Sequence, residues 1–187
     1  HHQVAQKPRS LCRQQLVAST GPPGFFEMPR LFAIWPPQLE SGSTQLRMLQ
    51  DSNSVALLRA AKNGNTRNVK LLLSKGTPVD VTDEAGSTPL MLAAGLDHVQ
   101  SIAALVSAGA DVNRSDASGW TPLLRAARRG HVASMRELLN SDADINAQDR
   151  LGWNALLRAS RSGNLVAVQL LLEIGIDINA RNKEGNT

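Results

Sequence analysis

The chain has 187 residues, 42% of them hydrophobic and 19% charged, and a formal net charge of +4. That balance suits one globular unit with an appended tail, and no run of about 18 apolar residues is present to span a membrane. A single cysteine, Cys12, excludes an internal disulfide framework and fits a reducing, intracellular compartment, cytoplasmic or nuclear.

Residues 1–50 read as a proline-rich, disordered tail. Six of the nine prolines fall there (Pro8, Pro22, Pro23, Pro29, Pro36 and Pro37), and no helical period survives them. The segment is also basic, with Lys7, Arg9, Arg13, Arg30 and Arg47 against Glu27 and Glu40. Residues 1–20 hold no apolar core of signal-peptide length. Leu31-Phe32-Ala33-Ile34-Trp35 is an apolar patch with the composition of a short docking motif, although a chance patch is the commoner explanation. Gln45–Gln50 is expected to form a short helix leading into the region that starts at Asp51.

From residue 51 the sequence repeats with a period of 33. Gly86, Gly119, Gly152 and Gly185 are in register, as are Leu57, Leu90, Leu123 and Leu156. A fixed period of this length means stacked structural repeats. Each begins with a turn, Asp83-Glu84-Ala85-Gly86, Asp116-Ala117-Ser118-Gly119 or Asp149-Arg150-Leu151-Gly152, with Asp first and Gly fourth. Thr88, Thr121 and Asn154 are expected to cap an inner helix, with Pro89 and Pro122 in its first turn. Gly64, Gly130 and Gly163 end that helix. An outer helix comes next, with one apolar stripe built from Val69, Ile102, Met135 and Val168 and from Leu72, Leu105, Leu138 and Leu171. A single repeat cannot bury such a stripe, so neighbours must stack.

Thr88-Pro89-Leu90 and Gly109-Ala110-Asp111-Val112-Asn113 match the signature of the ankyrin repeat, and residues 51–187 resemble that family throughout. The resemblance implies an all-α fold, an ankyrin-repeat solenoid of four helix-turn-helix repeats with projecting β-turns. The repeats are 51–83, 84–116, 117–149 and 150–182, with a fifth starting at 183–187. It also implies that inner helices and turn tips form a concave binding surface. Four departures stand out. Leu58, Met91, Leu124 and Leu157 replace the family's usual histidine. Asp97 replaces a glycine after an inner helix, and Asp142 replaces the glycine found at Gly76, Gly109 and Gly175. Thr187 falls on the threonine of a fifth repeat, so the sequence reads as part of a longer array. On that reading Leu156, Leu170 and Leu171 are expected to expose apolar surface.

No catalytic constellation is present. His98 and His131 open successive outer helices, a structural position in the family, and no glycine-rich loop cradles phosphate. Neither enzyme activity, metal nor cofactor is expected.

The inner helices carry the functional signal. Residues 55–64, 88–96, 121–130 and 154–163 contain seven basic side chains, Arg59, Lys62, Arg125, Arg128, Arg129, Arg158 and Arg161, and no acidic ones. Acidic residues gather at the turns instead. The second repeat interrupts the basic strip with Leu92, Gly95 and Leu96. Trp120 and Trp153 stand one position before their caps in adjacent repeats. With neighbouring helices about 8–10 Å apart, the two rings are expected to be exposed and to flank one ligand segment. Tryptophan beside arginine is the composition of an interaction hot spot. The competing expectation is that the rings pack over adjacent turns and the arginines pair with nearby Asp.

The expected function is a protein-protein interaction module, or scaffold, whose basic face takes an acidic or phosphorylated extended segment of a partner. An alternative is nucleotide or oligonucleotide binding, by Trp stacking and Arg–phosphate contacts. Gly119-Trp120-Thr121-Pro122-Leu123 resembles a stretch in an oligoadenylate-binding ankyrin domain. A third is a regulatory arm of a larger enzyme, ligase or channel. Glutamate at both Arg125 and Arg158 is expected to abolish binding, and alanine at one exposed arginine to leave stability almost unchanged.

Overall fold

The computed structural model describes the backbone from Gly42 to Thr187 and the side chains from Asp51 onward. Residues 1–41 of the expected tail, with the Leu31–Trp35 patch, lie outside the described residues, whereas residues 42–50, expected to belong to it, have helical backbone. Among the described residues there are eight helices and no strand: α1 (Gly42–Lys62), α2 (Thr66–Ser74), α3 (Pro89–Ala94), α4 (Val99–Ser107), α5 (Pro122–Arg129), α6 (Val132–Leu139), α7 (Ala155–Arg161) and α8 (Leu165–Ile174). The lead-in helix expected at Gln45–Gln50 is the first part of α1. From Ser43 to Asn63 the chain has neither Pro nor Gly, so nothing stops it there. No described helix is long and apolar enough to cross a membrane.

The odd-numbered helices stack in chain order as one layer, and the even-numbered helices as a second. The core runs unbroken between the layers. Leu57, Leu90, Leu123 and Leu156 enter it from the inner helices, and Val69, Ile102, Met135 and Leu171 from the outer. Alanines at 60, 61, 93, 94, 126, 127 and 159 are buried beside them. Their small side chains let helices approach closely, as ridge-to-groove packing requires.

The expected caps form. The side chains of Thr88, Thr121 and Asn154 accept from the backbone N–H of Met91, Leu124 and Leu157. These three cap residues are all buried, so each supplies a partner that water cannot. The first outer helix is capped in the same way, by Asn65, but the other three begin differently. His98 Nε2 lies 3.1 Å from the Lys62 carbonyl, and His131 Nε2 lies 3.2 Å from the Gly95 carbonyl. Because a carbonyl only accepts, each ring donates. Asn164 stands in register with them and donates to the Arg128 carbonyl at 2.8 Å. All three tie an outer helix to the end of the preceding repeat's inner helix, so the histidines are structural.

Asp97 and Asp142 are the only described non-glycine residues with a left-handed backbone, at φ +60° and +63°. Both stand where other repeats use glycine. Asp97 is compensated: one carboxylate oxygen accepts from Ser134 Oγ at 2.7 Å and from Ser134 N at 3.3 Å. Asp142 is an exposed residue whose side chain makes no comparable bond, while its carbonyl accepts from Asn113 Nδ2. A left-handed conformation costs a non-glycine residue roughly 1 kcal/mol. Asp142→Gly is therefore expected to stabilise by a few tenths to about 1 kcal/mol. Asp97→Gly is expected to destabilise, because it strips the partner from a buried serine. Denaturant midpoints of the two variants check this; a lower midpoint for Asp142→Gly would contradict it.

One expectation fails at the last repeat. Leu156, Leu170 and Leu171 are buried, not exposed. Their stripe faces back into the layer between α7 and α8, and Ile176 is buried with them. The apolar side chains that do face outward there are Leu151, Leu165, Val166, Leu172, Ile174 and Ile178.

Candidate functional site

The turn that opens each repeat also positions the site. In Asp116, Oδ1 accepts from the N–H groups of Ser118 and Trp120. In Asp149, Oδ1 accepts from those of Leu151 and Trp153. One carboxylate oxygen thus holds the turn and leaves Oδ2 free for an inner-helix residue nine positions on. Arg125 Nη2 donates to Asp116 Oδ2 at 2.6 Å and to Ser87 Oγ at 2.8 Å. Arg158 donates to Asp149 Oδ2 through both Nε, at 2.9 Å, and Nη2. The Asp149 side chain is only 1% exposed and that of Arg158 13%. Burial by itself would raise the Asp116 carboxyl pKa. The Arg125 bond and the two turn N–H groups outweigh it and hold the group below its ordinary value.

The tryptophans complete a ladder. Arg158 lies over both rings, 4.3 Å from the Trp120 centroid and 4.9 Å from that of Trp153. Arg128 lies 5.4 Å from Trp120, and Arg161 lies 4.9 Å from Trp153. The order is Arg128, Trp120, Arg158, Trp153, Arg161, alternating cation and ring. Each such contact contributes about 0.5–2 kcal/mol, more as it is desolvated.

This geometry corrects the expected ligand slot. Trp120 and Trp153 flank Arg158, drawn between them by Asp149, and the space expected for a ligand is filled by the protein. Trp153 is buried and Trp120 half-buried. Arg125 and Arg158, expected to be solvent-facing, are half-buried members of ion pairs. Glutamate at these two positions would disrupt folding before it reported on binding. The sequence signal for the pairing is the constant nine-residue spacing from Asp116 to Arg125 and from Asp149 to Arg158.

The remaining basic residues are exposed. Arg59, Lys62, Arg128, Arg129 and Arg161 all reach solvent from the inner helices. Among the described residues, Arg125–Asp116 and Arg158–Asp149 are the ion pairs within 4 Å. Leu92 is half-buried and Leu96 is 37% exposed. Lys62, Leu92, Leu96, Trp120, Arg128 and Arg129 border one hollow of about 360 Å³, with Met91 and Gly95 also lining it. The inner-helix face is therefore concave here. A neighbouring hollow shares Lys62 and Leu92 and includes Val55, Leu58, Arg59, Asp83 and Glu84. Among the described residues no cluster of His, Cys, Asp or Glu could hold a metal ion.

A family model described as ankyrin repeats, in three copies, matches residues 41–116, 57–149 and 110–182. The matches span well over half the chain, and the chain belongs to the ankyrin-repeat family. Domains of this family are generally protein-protein interaction modules and are typically non-catalytic. A comparison with curated proteins finds no match.

Proposed function

We propose that this chain is a non-catalytic, intracellular interaction module, cytoplasmic or nuclear, whose inner-helix face binds an acidic or phosphorylated extended segment of a partner protein. The observation that carries the reading is the row Lys62, Arg128, Arg129 and Arg161. These cations are exposed around or beside a hollow and, among the described residues, have no carboxylate partner of the kind that neutralises Arg125 and Arg158. Arg128 and Arg161 are also braced against tryptophan rings. Bracing reduces the side-chain entropy lost on binding, and guanidinium groups match carboxylate and phosphate geometry. A scaffold of this kind acts by bringing proteins together.

Oligonucleotide binding is less well supported, because both tryptophan rings already carry arginines against them. Bases would then meet only phosphate-binding cations, without an open stacking platform. Fluorescence anisotropy with a glutamate-rich peptide, its phosphoserine counterpart and a single-stranded RNA, each at stepped salt, tests the choice. The peptides are expected to bind with affinity that falls steeply with salt. RNA binding that survives high salt and quenches tryptophan emission would favour the alternative.

A further inference from the structure

Position 95 breaks the chemistry of the basic strip. The residues in register with it are Lys62, Arg128 and Arg161, and only the second repeat has glycine. The position three residues earlier reads Arg59, Leu92, Arg125 and Arg158. The position one residue later reads Asn63, Leu96, Arg129 and Ser162. One repeat out of four has thus lost its cations and gained two leucines. The consequence is spatial: Met91, Leu92, Gly95 and Leu96 form one side of the 360 Å³ hollow, and Trp120 lines it from the next repeat. A volume of this size suits a compact ligand group. Arg125 and Asp116 also line it, but they satisfy each other.

The two flanks differ. Toward the third repeat stand Arg128 and Arg129, both exposed and, among the described residues, without carboxylate partners. Toward the first, Lys62 also lines the hollow, but it and Arg59 border a neighbouring hollow with Asp83 and Glu84, whose charges offset theirs. An anionic group is favoured most on the third-repeat side, where two cations stand together.

Building on the basic-face reading, we propose that this notch takes one bulky apolar side chain, such as leucine or methionine, of a partner protein segment whose acidic or phosphorylated residue is held by Arg128 and Arg129. Repeats stack about 10 Å apart, and an extended chain advances about 3.3 Å per residue. The anionic residue therefore lies about three positions from the apolar one. The recognised pattern is apolar-x-x-acidic, or its reverse if the segment runs the other way.

Gly95 allows a direct test. Its φ is −69°, open to any residue. A Cβ there would meet the Met91 carbonyl at 3.4 Å and Arg125 Cβ at 3.8 Å, both ordinary contacts. Gly95→Met therefore fills the notch without altering charge or backbone. Labelled peptides carrying Leu-x-x-Glu and Glu-x-x-Leu, and the same peptides with alanine for leucine, are titrated into wild type and Gly95→Met by fluorescence anisotropy. For at least one direction, leucine is expected to bind about tenfold more tightly than alanine to wild type. Gly95→Met is expected to erase that difference while leaving the salt-dependent binding of the alanine peptide unchanged. Equal binding of leucine and alanine peptides to wild type, with salt dependence intact, would overturn the notch and spare the basic face. Failure of all four peptides to bind would overturn both. The peptide comparison uses wild-type protein alone, so it stands even if Gly95→Met fails to fold.

Discussion

Arg158→Ala is expected to destabilise the array by about 3–5 kcal/mol, the usual penalty for removing one partner of a buried ion pair. The Asp149 carboxylate, almost wholly enclosed, would keep its two turn N–H donors but lose its counter-charge. The cation between Trp120 and Trp153 would go as well. The double variant Asp149→Asn/Arg158→Leu should recover most of the loss. Asparagine can keep both turn bonds, as Asn182 does with the N–H groups of Glu184 and Asn186. Leucine is the residue the second repeat uses there, at Leu92. The exposed Arg161→Ala should stay within about 0.5–1 kcal/mol of wild type, the cation–π contact setting the upper end. Urea denaturation of the three variants checks the set. A loss for Arg158→Ala no larger than that for Arg161→Ala would show that the pair is only a surface contact.

Gly119→Ala is the second large effect. Its φ is +82°, so any side chain costs about 1–2 kcal/mol. The added Cβ would also sit 2.7 Å from Arg150 N and 3.1 Å from Asp149 Cα. Those are backbone atoms of the next turn and cannot swing aside. Relief requires parting the two turns, which breaks the 3.2 Å bond from Arg150 N–H to the Ser118 carbonyl. Gly109→Ala is the control: φ is +86°, yet nothing lies within 4 Å of its Cβ. Gly119→Ala should therefore lose at least about 1 kcal/mol more than Gly109→Ala. Equal losses by thermal or urea unfolding would mean that the turns separate freely.

The period of 33 makes the architecture legible because each repeat restates the same local rules. Thr88, Thr121 and Asn154 cap as expected, and Asp97 and Asp142 fall on left-handed positions because glycine fills those slots elsewhere. The side-chain partners are harder to read. That Arg125 and Arg158 are basic is visible in the sequence. That each folds onto a carboxylate depends on one Asp oxygen being occupied by the turn and the other pointing at the helix behind it. Burial of Trp153 is equally hard to read, because the rotamers that bring Arg158 and Arg161 to the ring are not visible in the sequence. The burial of Leu170 and Leu171 escapes a sequence reading because an apolar stripe shows which residues are alike and not which neighbour they face.

The most direct test of the basic face is calorimetric titration of a glutamate-rich peptide into wild type and into Arg128→Glu/Arg129→Glu, at about 50 and 300 mM salt. Both substitutions lie at exposed positions, and circular dichroism first establishes that the variant is folded. Wild type is expected to bind at low salt and to weaken sharply at high salt, while the variant shows no binding at either. Equal affinity of the two proteins at low salt would contradict the account, leaving these arginines as a solvated face and placing recognition elsewhere on the chain.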